Sequence, residues 1–170
     1  MNSFRSYEET YENPNKMDIE RVTYDIQNNE VFQEILRRYK IVVVDVWANF
    51  CAPCKTFSPL YEKLAKEYND DIHNKKILFL KDCIDDNNYD SLHGAETRAV
   101  PTFFIYMNGK VIGTVLGANM TKIKKVVDIL LPIENSNLLE EKLDLIYREK
   151  LLERNEVVIN SINDRNVGVC

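Results

Sequence analysis

The sequence predicts an α/β protein: a central mixed β-sheet flanked by helices on both faces, plus an extra amphipathic helix toward the C-terminus. Three observations predict it. Ile41 to Trp47 is an almost unbroken β-branched apolar run, the pattern of a strand buried on both faces. Stretches with helical periodicity separate it from its neighbouring apolar runs, and strands joined through helices pair in parallel. Asn108-Gly109, between two further apolar runs, is the strongest hairpin signal in the chain and adds an antiparallel pair.

Taken in order, residues 1–17 are polar and read as a flexible N-terminal tail. Residues 18–132 carry the α/β pattern. Ile19 to Tyr24 reads as a short first strand. Asn28 or Asn29 caps a helix that places Val31, Phe32, Ile35 and Leu36 at core spacing. Ile41 to Trp47 follows as the central strand. Pro53 to Tyr68 is helical, with Phe57, Leu60, Leu64 and Tyr68 on one face. Pro59 lies inside it and should kink it, since proline lacks the donor and crowds the preceding turn. Ile77 to about Lys81 is a third strand, and Asp85 to Gly94 a loop and short helix. Phe103 to Met107 and Val111 to Leu116 form the hairpin. Met120 to Leu131 is a helix with Ile123, Val126, Val127 and Leu130 inward, stopped by Pro132. Residues 133–170 form a C-terminal extension. Leu138, Leu145 and Leu152 recur every seven residues there, beside Leu139 and Ile146, so the extension is expected to be helical to about residue 154. Such a helix packs on its own domain or meets a partner.

A length of 170 residues allows one domain with extensions, and 45% apolar residues suffice for a core. The net charge of −5 argues against nucleic acid as a partner, because phosphate neutralisation needs a basic surface. No apolar run is long enough to span a bilayer, so no membrane is expected. The N-terminal stretch has no apolar signal core, and Glu8, Glu9 and Glu12 argue against an acid-poor transit peptide. A cytoplasmic protein is expected.

Of the four cysteines, only Cys51 and Cys54 are closely spaced. They follow the central strand and open a helix. Residues three apart at a helix start lie one turn apart on one face, so the two sulfurs can close a disulfide. Cys51, near the N-cap, is favoured as a thiolate by unpaired N–H groups and the helix dipole, with Lys55 adding positive charge. Cys54, one turn in, should be more buried. The pattern suits an exposed nucleophile and a sheltered resolving thiol, with Asp45 on the buried strand as a proton acceptor of raised pKa. A structural disulfide or a zinc site remains open on spacing alone. Zinc, however, needs four ligands, and Cys83, Cys170, His73 and His93 supply no second close pair.

Over residues 18–132 the chain resembles the thioredoxin family. The resemblance is carried by Trp47-Ala48-x-x-Cys51-x-Pro53-Cys54-Lys55, by Asp45, Pro59 and Val100-Pro101-Thr102, by Asn108-Gly109-Lys110, and by Gly117. It implies the thioredoxin fold, attack by Cys51, resolution by Cys54 and a cis Pro101 against the cysteine pair. It implies Lys81 near Asp45. Trp47 would shield the site, and the substrate chain would lie along Ala52, Pro53, Val100, Pro101 and Gly117 like an added strand. Partners would be disulfide-containing protein substrates and a thioredoxin reductase or equivalent reductant. No bound cofactor is expected, as the chain has no flavin or nicotinamide motif. Two departures stand out: Ala52 where the family usually has glycine, and Phe50 where it often has tryptophan.

Cys83, after the third strand, is expected near the rim of the site. His73 and His93, in polar contexts, read as surface residues. Two functions compete. One is a disulfide reductase contributing to cell redox homeostasis. The other is a thioredoxin-like binding module whose terminal extensions dock a partner in a larger assembly.

Overall fold

The computed structural model describes residues 22–69, 76–85 and 91–154. The N-terminal tail (1–17), the start of the first expected strand, His73, Cys170 and the chain beyond Arg154 lie outside the described residues. Strands β1 (Thr23–Asp25), β2 (Ile41–Trp47), β3 (Ile77–Cys83), β4 (Thr102–Met107) and β5 (Lys110–Leu116) form one sheet in the order β1-β3-β2-β4-β5. β1 and β2 run parallel to β3, β4 is antiparallel to β2, and β5 is antiparallel to β4. Helices α1 (Asn29–Arg38), α2 (Ala52–Asn69), α3 (Met120–Leu130) and α4 (Ser136–Arg148) complete the described elements, with a 3-10 turn at Gly94–Glu96.

Period-two alternation assigns the faces. Val42, Val44 and Val46 pack with Phe32, Ile35 and Leu36 of α1. Ile41 and Val43 pack on the other face with Tyr61 and Leu64 of α2, Ile123 and Val127 of α3, and Ile146 of α4. Ile41 to Val44 and Val46 have no exposed surface, as expected of a central strand covered on both sides. The same alternation puts Asp45 under α2.

Local chemistry accounts for the element ends. Side chains of Asn28, Asn119 and Asn135 each accept from a backbone N–H three residues on, at 2.8–3.0 Å, and start α1, α3 and α4. Asn108 and Gly109, at φ 50° and 82°, make the tight turn between β4 and β5.

The loop and short helix expected over 85–94 fall largely on residues 86–90, outside the described residues, and the 3-10 turn Gly94–Glu96 follows. The structure differs from sequence expectation at two elements. The buried face of α2 is Cys54, Tyr61, Leu64 and Ala65, while Leu60 is 46% exposed. Most sharply, the C-terminal helix ends at Arg148 rather than near 154. Lys150 adopts φ 54°, and the Leu151 N–H returns to the Ile146 carbonyl at 3.0 Å, closing the helix. The chain then lies along β5, where Glu153 and Thr114 exchange backbone hydrogen bonds of 2.8 and 3.0 Å. The third leucine of the heptad, Leu152, is thus buried from an extended segment, not from a helix.

Candidate functional site

β2 ends in a turn that delivers the cysteines. The Asn49 N–H donates to Asp85 Oδ1 at 2.7 Å, tying the turn to the end of β3, and the Cys51 N–H donates to the Ala48 carbonyl at 3.1 Å. Cys51 is then the N-cap of α2: its carbonyl accepts from the Lys55 N–H at 3.4 Å, and its sulfur accepts from the Cys54 N–H at 3.2 Å. A helix N-terminus aimed at a sulfur favours the thiolate. Cys51 and Cys54 are joined as a disulfide with Cα atoms 5.3 Å apart.

The expected contrast in burial is absent from this closed pair, since Cys51 is 5% and Cys54 4% exposed. The asymmetry lies in what each sulfur faces. Cys51 Sγ lies 3.6 Å from the Val100 carbonyl oxygen. Cys54 lines a pocket of about 480 Å³ together with Asp45, Trp47, Ser58, Glu62 and Lys81.

Asp45 is nearly buried, and its Oδ1 has no hydrogen-bond partner. Burial pushes its carboxyl from the ordinary 3.8 up to about 7, against the downward pull of the Lys81 ammonium. Lys81 is the residue paired with Asp45 across β2 and β3. Its Nζ, however, donates to Ser58 Oγ at 3.0 Å and lies 3.3 Å from Glu62 Oε1.

On the other side of the disulfide, the Val100–Pro101 peptide is cis. The Pro101 carbonyl accepts from the Gly117 N–H at 2.9 Å, and Gly117 has φ 74°, a conformation that suits a residue without Cβ. Ala52 and Pro53 are exposed at the start of α2, and Trp47 is half-buried. The sequence-derived site residues therefore converge on one edge of the sheet, around the disulfide.

Cys83 is aligned with Trp47 across β2 and β3, close to this rim, and burial pushes its thiol up. His93 corrects the sequence reading. It is 2% exposed, with Nδ1 2.7 Å from Asp82 Oδ2 and Nε2 2.8 Å from the Tyr106 hydroxyl. It lies on the α1 face, walled by Phe32 and Phe104. Ser58 and Glu62 are the site residues that sequence reasoning missed. The signal was there: Cys54, Ser58 and Glu62 recur every fourth residue along α2, a polar stripe descending from the resolving cysteine. Among the described residues no cluster of His, Cys, Asp or Glu is placed to hold a metal, and no helix is long and apolar enough to cross a membrane.

A disulfide at a helix N-terminus, a buried carboxyl behind it and a cis-proline loop beside it define a dithiol–disulfide exchange protein. Comparison with known proteins gives the family. A family model described as thioredoxin matches residues 23–129. Thioredoxin from Coprinus comatus is 34% identical over 102 residues, covering 60% of this chain and 92% of that protein. The oxidised mitochondrial thioredoxin 3 of Saccharomyces cerevisiae superposes with a TM-score of 0.53 at 30% identity, covering 64% of this chain and 95% of that one. A chain from a structure of the thiol-resolving mechanism of yeast mitochondrial 1-Cys peroxiredoxin, via the glutathione/thioredoxin systems, gives a TM-score of 0.53 at 28% identity. It covers 64% of this chain and 95% of that one. The protein belongs to the thioredoxin family. It is a protein-disulfide reductase that works by dithiol–disulfide exchange through Cys51 and Cys54.

Proposed function

We propose that Cys51 is the attacking thiol and Cys54 the resolving one, with Asp45 as the proton acceptor. The Cys51 thiolate attacks a substrate disulfide, forming a mixed disulfide and expelling one substrate thiolate. Cys54 passes its proton to Asp45 and attacks the Cys51 sulfur. The Cys51–Cys54 bond forms, the second substrate sulfur leaves, and two electrons have moved to the substrate. The observation that carries this assignment is the unlike surroundings of the two sulfurs. Cys51 caps the helix beside the Val100 carbonyl, and Cys54 opens onto the pocket that holds Asp45. Lys81 tunes that carboxyl, and Trp47 shields the site. The substrate chain lies across Ala52, Pro53, Val100, Pro101 and Gly117, with the backbone of the proline loop offering it a strand edge.

The partners of this reading are proteins bearing a disulfide and a separate reductase that restores the dithiol. The likeness to a chain from a structure of the thiol-resolving mechanism of a 1-Cys peroxiredoxin via the glutathione/thioredoxin systems supports a protein disulfide as substrate. A dithiol that gives electrons away works only where it is re-reduced, which supports the cytoplasm as its place and cell redox homeostasis as its role. The rival reading, a docking module acting through its extensions, loses support at α4, where Ile146 is buried in the protein's own core and Leu138, Leu139, Leu143 and Tyr147 pack partly buried against it.

Insulin reduction driven by dithiothreitol tests the assignment. Wild type should accelerate it and Cys51→Ser abolish the acceleration. Cys54→Ser should accumulate a mixed disulfide on Cys51, visible by mass spectrometry. Accumulation on Cys54 in Cys51→Ser, with none on Cys51 in the reverse variant, exchanges the two roles.

A further inference from the structure

Lys81 and Asp45 face each other across adjacent parallel strands, on the same side of the sheet. At the usual spacing of about 4.8 Å between strands, an ammonium and a carboxylate so placed are expected to pair directly. They do not. Lys81 Nζ is turned to α2, where Ser58 Oγ accepts at 3.0 Å and Glu62 Oε1 lies at 3.3 Å. Glu62 is itself anchored from β1, as its Oε1 accepts from the Thr23 hydroxyl. Asp45 Oδ1 is left with no partner.

We infer that Ser58 and Glu62 are positioning residues that hold the Lys81 ammonium off Asp45, so that this carboxyl can take up and return the Cys54 proton. The inference rests on the reading of Asp45 as that proton acceptor. A directly paired carboxylate would be held as an anion and would be a poor base. With Lys81 diverted, burial dominates, and the carboxyl exchanges a proton near neutral pH.

The other charged or titratable groups facing Asp45 are few. β1 contributes Asp25 to the same pocket, and α2 contributes Cys54, Lys55 and Glu62. Tyr61, also from α2, keeps its phenol between the Val43 and Leu80 carbonyls, at 3.1 and 2.8 Å. From β4 the aligned residue is Phe103, which adds no charge. Lys81 and Glu62 are thus the pair whose arrangement decides whether Asp45 has a partner. The step served is a proton transfer alone: Cys54–SH and Asp45 carboxylate become Cys54 thiolate and Asp45 carboxylic acid. The thiolate then displaces the substrate sulfur from Cys51.

The test is a carbon-13 carboxyl titration of Asp45 in the reduced full-length chain, followed by NMR in wild type, Glu62→Gln, Glu62→Asp, Lys81→Met and the Glu62→Gln/Lys81→Met double variant. Glu62→Gln should lower the Asp45 midpoint by about one unit, tenfold in its acid constant, as Lys81 swings across. Glu62→Asp keeps the anion and should restore most of the wild-type value. In the Lys81→Met background the Glu62→Gln shift should shrink to a small fraction. An equal shift in both backgrounds makes Glu62 a simple like charge and overturns the inference, as does no shift at all. The pH profile of mixed-disulfide resolution, read in single turnover, should move down with the midpoint in Glu62→Gln. The underlying reading is judged separately: if Asp45→Asn leaves that profile unmoved, Asp45 is not the proton acceptor, whatever the titration shows of Lys81.

Discussion

Asp45 sits in β2 between Val44 and Val46, both without exposed surface, so its carboxyl leaves water as the chain folds. Its pKa rises from the ordinary 3.8 to about 7 for that reason, only partly offset by Lys81. The folded protein therefore keeps a proton that the unfolded chain gives up above pH 4. Stability from this group is fully present below pH 3.8 and is lost as pH rises through 7. About three units at ~1.4 kcal/mol each puts the loss on the order of 4 kcal/mol, an upper figure because the pocket admits solvent. Asp45→Asn should thus be more stable than wild type at pH 8, and the gap should close toward pH 4. Urea denaturation at the two pH values reads this directly, and equal stability at pH 8 would mean that the carboxylate is solvated after folding. At the same scale, the sequence revealed Asp45 but hid His93. The acid lies in an apolar run where a charge is conspicuous. The histidine lies in a polar loop, and its burial depends on Asp82 and Tyr106, whose approach only the folded sheet brings about.

Elements announced themselves where a few adjacent residues decide the geometry. Asn108-Gly109 specifies its turn, and Asn28 caps α1 as its sequence context indicates; Asn119 and Asn135 cap α3 and α4 by the same local chemistry, which sequence reasoning missed. Elements were hidden where a neighbour distant in sequence decides. The core face of α2 turned out to centre on Tyr61 rather than Leu60, because the phenol reaches backbone carbonyls of β2 and β3. The end of α4 carried no stop signal, because Lys150 rather than glycine takes the left-handed position. The extended segment that follows depends on Gly113 in β5. A Cβ at Gly113 would lie 2.9 Å from the Glu153 carbonyl oxygen and 3.0 Å from Leu152 Cβ, on a backbone at φ 157°. Gly113→Ala should therefore push the segment off the strand and cost about 1–3 kcal/mol, the usual range for forced overpacking. Hydrogen exchange locates the effect: the Thr114 and Glu153 amides, which bond to each other's carbonyls, should lose protection, while β2 amides keep theirs. Unchanged protection at Thr114 would show that the segment adjusts without leaving β5.

At the scale of the whole molecule, the family match ends at residue 129, but the hydrophobic core does not. Ile133, Ile146, Leu151 and Leu152 belong to the same cluster as Tyr61, Phe79 and Val127, all nearly or fully buried. The described part of the extension also bridges the outer edge of β5 at Thr114, where the strand would otherwise present unpaired backbone groups to other chains. Its attachment runs along β5, through the Tyr147 hydroxyl on the Ile112 carbonyl and Glu153 on Thr114, whereas the disulfide lies at the end of β2. Residues 133–154 are therefore a structural part of this domain, packed and bonded away from the disulfide. Deleting residues 133–170 should remove the burial of these four side chains, worth about 1.5–3 kcal/mol each before relaxation, and uncover the β5 edge. The truncated chain should melt at a markedly lower temperature and self-associate in sedimentation. The fraction that remains folded should reduce insulin at the rate of the full chain, since Cys51, Cys54 and Asp45 keep their surroundings. The single variant Ile146→Ala should reproduce the loss of stability, by about 2–5 kcal/mol, without removing a residue beyond it. A truncated protein that melts normally but turns over substrate slowly would reverse this division. It would place the extension at the exchange site and return the docking role of the C-terminal segment to contention.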